Sequence, residues 1–201
     1  AAAEIDRSLR FPSAAPSLAP MLVHTIDNFR RGKHRRFLSA YRFALRQAQT
    51  SIAIMNAYFI PDWITLFALQ SAARRGVNVR VIVPAKSDVK VVGYASRYLF
   101  SRLLKSGVRV FEYEGRMMHS KAAVIDGRWA TIGSFNLDRL SMVHNLEAGV
   151  VVADREFAAL LEAEFEASLA DCREVKLDTW RKRGLATRFK EWFAHLFAYW
   201  L

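Results

Sequence analysis

Residues 117–136, MMHSKAAVIDGRWATIGSFN, bring several chemically capable side chains into one short stretch. They provide an imidazole, an ammonium, a hydroxyl and a carboxamide, separated by a strand-like apolar run. The residues are His119, Lys121, Ser134 and Asn136, with Asp126 and Gly133 between them. This set suits a phosphoryl centre, because a histidine can attack phosphorus or move a proton, while a lysine and neutral donors stabilise phosphoryl oxygens.

A β-hairpin is the element that would position these groups. His119 and Lys121 are two residues apart, so both project to one face of an extended strand. Asp126-Gly127 lies between two apolar runs and is a strong signal for a two-residue turn. The returning strand therefore carries the hydroxyl and the amide back alongside the imidazole and the ammonium.

Simpler explanations apply to parts of this pattern. A lone His-x-Lys is most often an ordinary surface feature of a hairpin edge. Asp126 is explained as well by the turn as by any chemical role, so it is assigned to the motif and not to the chemistry. Gly133 is assigned a structural role, because it lets two backbones approach closely. The length of the combined pattern is what favours a catalytic site.

Alternating periodicities predict the surrounding fold. Helical spacing is found at 34–50, after Pro61, at 90–105 and at 154–171. In the helix after Pro61, the residues expected to face inward are Trp63, Leu66, Phe67 and Leu69. In the helix at 154–171, the residues expected on one side are Phe157, Leu160, Leu161 and Phe165. Strand-like runs are found at 51–60, 77–83, 108–113, 119–125, 128–133 and 146–153. The fold class is therefore α/β, with a mixed β-sheet sandwiched between helices.

The amino-acid composition restricts the classes of binding partner that are expected. Lys and Arg number 30 against 19 Asp and Glu, a net charge of +11 that favours nucleic acid, acidic lipid or phosphate-bearing substrates. The single cysteine, Cys172, excludes an intrachain disulfide and a cysteine zinc site. No apolar run approaches the roughly 18 residues of a membrane span, and no signal peptide is expected.

The complete pattern HSKAAVIDGRWATIGSFN resembles the signature of the phospholipase D superfamily. A further match, HNLEAGVVV, contains Glu147, which by this resemblance hydrogen-bonds the catalytic histidine. The segments NAYFIPD, AARRGVNVRVIVP and SDVKVVGYASRYLFSRLLKSGVRVFEYE resemble the second half of bacterial cardiolipin synthases, from about residue 30 onward. A phospholipase D-like lobe with one motif is expected over 29–178, after a linker or N-terminal arm over 1–28.

The resemblance implies a two-histidine mechanism in which one histidine forms a phosphohistidine and the other serves as acid and base. Metal and other cofactors are not expected. This chain repeats His-x-Lys at none of His24, His34, His144 and His195. A second half-site must then come from a missing N-terminal half or from a homodimer, and His119 is assigned the acid-base role in the first case.

The expected activity is transfer of a phosphatidyl group between lipids, with an anionic phospholipid as substrate. The location expected is peripheral, on the cytoplasmic side of the bacterial membrane. Residues 179–201 read as a basic, aromatic amphipathic helix that lies in a bilayer interface or docks on protein. Two alternatives remain: a dimeric nuclease or phosphodiesterase of the same superfamily, and a non-catalytic module that binds lipid or nucleic acid.

Overall fold

The structure is a computed structural model that describes residues 22–27 and 35–197 of the 201-residue chain. The described helices are α1 (Arg35–Gln47), α2 (Trp63–Arg74), α3 (Lys90–Lys105), α4 (Arg139–Val143), α5 (Arg155–Leu169), α6 (Leu177–Arg181) and α7 (Leu185–Leu196). The described strands are β1 (Leu22–Asp27), β2 (Ser51–Asn56), β3 (Asn78–Pro84), β4 (Arg109–Tyr113), β5 (Lys121–Ile125), β6 (Trp129–Gly133), β7 (Ala148–Ala153) and β8 (Cys172–Val175).

These strands form one mixed sheet in the order β1-β7-β6-β5-β2-β3-β4-β8. β2, β3 and β4 run parallel, joined by the crossover helices α2 and α3, and the other neighbours are antiparallel. Helices pack on both faces, so the predicted α/β class with a sandwiched mixed sheet is confirmed. None of the helices in the described ranges is long and apolar enough to cross a membrane.

The larger core lies between the sheet and α1, α2 and α3, where Leu45, Leu69 and Leu103 are fully buried. The opposite face is covered by α5, whose Phe165 packs on Ile82 and Phe111 of the sheet. This double burial explains why the central strands read as continuous apolar runs.

Local signals set several of the helix boundaries. Asp62, Asp138 and Asp154 cap α2, α4 and α5 by accepting hydrogen bonds from backbone N–H groups three residues later. Gly107 follows α3 with a φ of +92°, a left-handed conformation that glycine adopts at no steric cost.

Three predictions about side-chain direction are wrong. Trp63 and Phe67 point outward from α2, each 63% exposed, while Leu66 and Leu69 are buried. Leu160 is 67% exposed on α5 and does not share the buried side with Phe165. Helical spacing shows which residues share a face, but the crossing angle of the helix on the sheet decides how much of that face is covered.

The elements found near both ends of the chain differ from those that the sequence pattern predicts there. β1 lies within the segment predicted as an arm and pairs antiparallel with β7, while residues 1–21 and 28 are outside the described residues. The C-terminal segment 179–201 contains the end of α6 and then α7, with Gly184 as the N-cap of α7, and residues 198–201 are not described.

Candidate active site

The polar residues that the sequence assigned to the chemistry lie at one edge of the sheet, where strand ends meet. The carboxyl ends of β2 and β6 meet the amino ends of β5 and β7 there, because these neighbouring strands are antiparallel. Asn56 lies opposite Lys121, and Gly133 lies opposite Gly149. We call this the catalytic edge.

His119 and Lys121 lie at the amino end of β5. The Lys121 ammonium donates a hydrogen bond to the backbone carbonyl of His119 at 2.8 Å. The His119 side chain is exposed, and the Tyr58 ring meets it edge-on with centroids 6.3 Å apart. The imidazole is thus accessible to a substrate, and an aromatic ring lies on one side of it.

Ser134 and Glu147 are linked directly across β6 and β7. The Ser134 hydroxyl donates to the Glu147 carboxylate and accepts the backbone N–H of Ala148 at 3.1 Å. The Asn145 amide also donates to Glu147, at 3.4 Å. Glu147 is buried, so these bonds orient a carboxylate at the catalytic edge. Its hydrogen bond to His119 stays a prediction.

Two asparagines are buried beside this pair. The side-chain oxygen of Asn56 accepts the backbone N–H of Leu137 at 3.1 Å, which ties the end of β2 to the segment after β6. The side-chain oxygen of Asn136 is buried and has no hydrogen-bond partner among the described residues. Buried polar atoms are normally paired, so the side-chain oxygen of Asn136 is not committed to holding the fold together.

Three carboxylates act electrostatically on the Lys121 ammonium. Burial lowers the pKa of Lys121, and the charges of Glu147, Asp138 and Asp88 oppose that shift by favouring the charged form. Burial and the carboxylate charges therefore have opposite effects on the pKa of this half-buried lysine. A cation is the group needed to neutralise a phosphoryl oxygen.

Four further residues at this edge were not singled out by sequence reasoning: Asn56, Tyr58, Asp88 and Asp138. Tyr58 donates its hydroxyl to both oxygens of Asp88 at 2.8 Å. Asp138 is buried and caps α4, and burial raises its pKa to about 6. The pattern Asp138-x-x-Ser141 before a helix was an available signal for the cap, although it does not reveal the nearby ammonium.

Asp126 lies in the turn between β5 and β6, at the end of these strands opposite to the catalytic edge. Its carboxylate accepts the backbone N–H groups of Gln49, Thr50 and Ser51 and the Thr50 hydroxyl. Burial alone would raise the pKa of Asp126, but these hydrogen bonds hold it below its usual value. Asp126 and Gly127 have φ values of 52° and 58°, as a type I′ hairpin turn requires.

Gly133 sits where the two strands approach most closely at the catalytic edge. A Cβ atom there would lie 2.6 Å from both the Ala148 carbonyl oxygen and the Gly149 Cα. Glycine is thus required for the β6–β7 pairing that brings Ser134 to Glu147.

A groove of about 350 Å³ opens beside the site, between the end of β3 and the start of α3. Its lining includes Ala57, Lys86, Ser87 and Lys90. Ala57 donates its backbone N–H to the Ser120 carbonyl at 3.0 Å, between His119 and Lys121. The groove therefore adjoins the backbone at the start of β5 and is lined by two further lysines, Lys86 and Lys90. No cluster of three or more metal-ligating side chains occurs in the part of the chain that the structure describes.

Comparison with known proteins agrees with this geometry. Residues 41–169 match the family model for the cardiolipin synthase, PLD-like domain. The chain is 44% identical over 136 residues to cardiolipin synthase B of Escherichia coli K12, covering 67% of this chain and 33% of that protein. It is 40% identical over 158 residues to a probable cardiolipin synthase of Bacillus subtilis, covering 79% and 32%. The chain thus spans about a third of the length of these relatives.

Solved structures share the fold at low sequence identity. Nuc, a phospholipase D family member from Salmonella typhimurium, matches with a TM-score of 0.65 and 21% identity, covering 78% of this chain and 99% of that chain. Phosphatidylserine synthase from Haemophilus influenzae matches with a TM-score of 0.71 and 14% identity, covering 94% and 48%. On the strength of the family model and the curated relatives, this chain belongs to the phospholipase D-like domain family of the cardiolipin synthases.

Proposed function

We propose that the chain supplies one of two half-sites of a phosphatidyltransferase of cardiolipin synthase type, which acts on anionic phospholipids. The observation that carries the proposal is the exposed His119 imidazole beside Lys121, at an edge that also holds Ser134, Asn136 and Glu147. Family membership supports the same reaction class.

The reaction is a double displacement at phosphorus. A nucleophilic imidazole attacks the phosphate of the donor lipid, a phosphorus–nitrogen bond forms, and the bond to the headgroup oxygen breaks. A second imidazole gives its proton to the departing alcohol. That imidazole then removes the proton of the acceptor hydroxyl, whose oxygen displaces the histidine and completes the transfer.

Each residue of this half-site has a role in that sequence. His119 is the acid and base when the other half-site belongs to a preceding lobe of a longer protein, and either role falls to it in a homodimer. Lys121 stabilises the non-bridging oxygens, with Asn136 as a neutral partner. Ser134 orients Glu147 through the hydrogen bond that its hydroxyl donates. Glu147 would fix the tautomer of the imidazole and raise its basicity through the predicted hydrogen bond to His119.

A second half-site is needed because one imidazole cannot stand on both sides of the same phosphorus. It comes from another lobe or from a second copy of the chain, and the coverage of only a third of the relatives' length supports the first source. The proposed location is peripheral, on the cytoplasmic side of the bacterial membrane, which agrees with a net charge of +11.

The test uses the form that holds two half-sites, either a dimer of this chain or the longer protein that contains it. Vesicles of radiolabelled phosphatidylglycerol should yield free glycerol and a lipid with two phosphates. Acid-labile, alkali-stable label should be trapped on histidine, and plasmid DNA should stay intact. His119→Ala should abolish transfer, while the matched control His144→Ala, at an exposed residue just after α4, should retain it. Transfer by the His119→Ala protein, or DNA cleavage without transfer, would overturn the proposal.

A further inference from the structure

Helix α7 presents its apolar side to the solvent. Glu191 and Ala194 are its buried residues, at 1% and 4% exposure. Its large apolar side chains are between 42% and 78% exposed: Leu185, Phe189, Trp192, Phe193 and Leu196. A helix that only docks on a globular domain has the reverse arrangement, with its apolar stripe against the core.

Polar contacts hold α7 in this orientation. Arg183 donates to the Glu191 carboxylate at 2.8 Å and lies over the Trp180 ring, 3.6 Å from its centroid. The His195 imidazole stacks on the Tyr98 ring of α3, with centroids 4.5 Å apart. The aromatic stripe is therefore turned outward by specific contacts on the opposite side of the helix.

Two more exposed aromatic side chains lie on α2, which is linked to α7 through contacts made by α3. Trp63 and Phe67 are one helical turn apart and each 63% exposed. The Arg102 guanidinium lies 4.5 Å from the Trp63 ring centroid and 5.8 Å from that of Tyr98, whose ring stacks on His195. We define the outer aromatic surface as Trp63, Phe67, Phe189, Trp192, Phe193 and Leu196.

Basic residues flank this surface. At about 100° per residue, Arg188 and Lys190 fall on opposite sides of the apolar stripe of α7. Both are exposed, as are Arg181 and Lys182 before the helix. The only acidic residue of α7, Glu191, is buried and paired with Arg183. Positive charge on both flanks of an aromatic stripe is complementary to an anionic bilayer interface.

We propose that the outer aromatic surface inserts into the interface of an anionic lipid bilayer. Trp63 opens α2, which follows the carboxyl end of β2, where Asn56 lies opposite Lys121. Insertion at Trp63 brings lipid headgroups to the site from the membrane plane. The inference rests on the proposed function only in the choice of an anionic phospholipid.

Flotation with vesicles tests the surface directly, with the protein carrying His119→Ala so that turnover plays no part. Vesicles contain phosphatidylglycerol and phosphatidylcholine in equal amounts. The double variant Phe189→Ser/Phe193→Ser should bind at least about tenfold more weakly. Arg188→Gln/Lys190→Gln should lose about 10- to 30-fold on these vesicles and little on pure phosphatidylcholine. Leu160→Ser, at a side chain 67% exposed on α5, is the matched control and should bind normally.

Insertion depth gives a second measurement. Cys172 is the only cysteine, so a Cys172→Ser background accepts a single fluorescent label at Phe193→Cys or Leu160→Cys. Lipids that carry a quencher in the acyl chain should quench the first label and not the second.

Several outcomes would overturn the proposal. They are equal vesicle binding by the aromatic double variant, equal quenching of both labels, or self-association of the protein through this surface without vesicle binding. Failure of the proposed function is distinct from all of these, because the wild-type protein would then bind vesicles without transferring phosphatidyl groups. If the surface alone is wrong, the protein with His119 intact still transfers phosphatidyl groups, and the surface variants bind vesicles as well as their His119→Ala parent.

Discussion

The Tyr58 ring meets the His119 imidazole edge-on at a centroid distance of 6.3 Å, while its hydroxyl donates to Asp88 at 2.8 Å. Burial, aided by the hydrogen bond and the charge of Asp88, raises the pKa of Tyr58 to about 12. Tyr58 therefore remains a protonated donor at neutral pH, and Asp88 anchors the ring against the imidazole. This arrangement predicts that Tyr58 positions His119.

Removing the Tyr58 ring should loosen the imidazole. Tyr58→Ala should lower kcat by about 10- to 100-fold, the usual range for residues that orient a reactive group. Tyr58→Phe keeps the ring and loses the Asp88 bond, so its loss should be smaller. The pH profile of kcat should shift in Tyr58→Ala because the surroundings of the imidazole change. A wild-type kcat and pH profile in Tyr58→Ala would contradict this role.

Two replacements of Lys121 should distinguish the contribution of its charge to kcat from that of its hydrogen bonding. Lys121→Met removes the cation among three carboxylates and should lower kcat by about 10²- to 10³-fold. Lys121→Arg keeps the charge in a different shape and should recover part of the loss. Steady-state assays of both variants test this, with circular dichroism to verify folding. Equal kcat values for Lys121→Met and Lys121→Arg would show that charge is not what Lys121 supplies.

Asp126 should matter for stability and not for chemistry. Asp126→Ala loses hydrogen bonds to three backbone N–H groups and places alanine at positive φ, so unfolding should become easier by about 2–4 kcal/mol. Asp126→Asn tolerates positive φ and keeps one acceptor oxygen, so it should cost less. Urea unfolding measures both. Activity per folded molecule should be unchanged, because Asp126 is a strand length, about 20 Å, from His119. Lost activity in fully folded Asp126→Asn would reopen a chemical role.

Local signals were sufficient for several elements. Helix α3 was predicted at 90–105 and spans Lys90–Lys105, because a long amphipathic period ends at a glycine cap. The hairpin was predicted at Asp126-Gly127, where both residues have positive φ. Strands β1 and β8 were missed because edge strands need no alternating apolar pattern. Val23 of β1 is exposed, and Arg173 of β8 forms ion pairs.

The rest of the site depends on contacts distant in sequence. Asn56 reaches the catalytic edge only through the β2–β5 pairing, and Tyr58 only through the loop that follows. Likewise, the stripe on α7 was visible in the sequence, but its outward direction depends on contacts with Arg183 and Tyr98. Periodicity cannot supply these partners, since it describes one element at a time.

Gly133 should tolerate no side chain. Gly133→Ala would place a Cβ 2.6 Å from two backbone atoms of the β6–β7 pair, and backbone atoms have little freedom to move. The free energy of unfolding should fall by about 3 kcal/mol or more. Gly184→Ala is the matched control, because no atom lies within 4 Å of its added Cβ. It should cost less than about 1 kcal/mol as a change of N-cap residue. Thermal unfolding of both variants compares them, and similar values would contradict the steric argument.

Asp138 should make stability depend on pH in the opposite sense to most carboxylates. Burial, opposed by the hydrogen bond from Ser141 and reinforced by the charge of Glu147, raises its pKa from 3.8 to about 6. The folded state thus favours the protonated form. The resulting stabilisation is fully present below about pH 4 and is lost as the pH rises through about 6.

Asp138→Asn should remove this dependence, because the amide resembles the protonated side chain and keeps an oxygen for the Ser141 N–H, 2.8 Å away. The variant should match the wild type near pH 4 and be more stable at pH 7.5, by up to about 3 kcal/mol at 1.36 kcal/mol per pKa unit. Urea unfolding at the two pH values measures the difference. Asp154→Asn is the matched control, because Asp154 caps α5 with a similar 2.8 Å bond but lies nearer the solvent. It should show no comparable gain at pH 7.5. A variant less stable than the wild type at pH 7.5 would mean that the ionised Asp138 carboxylate stabilises the fold, and that its interactions outweigh the burial that raises its pKa.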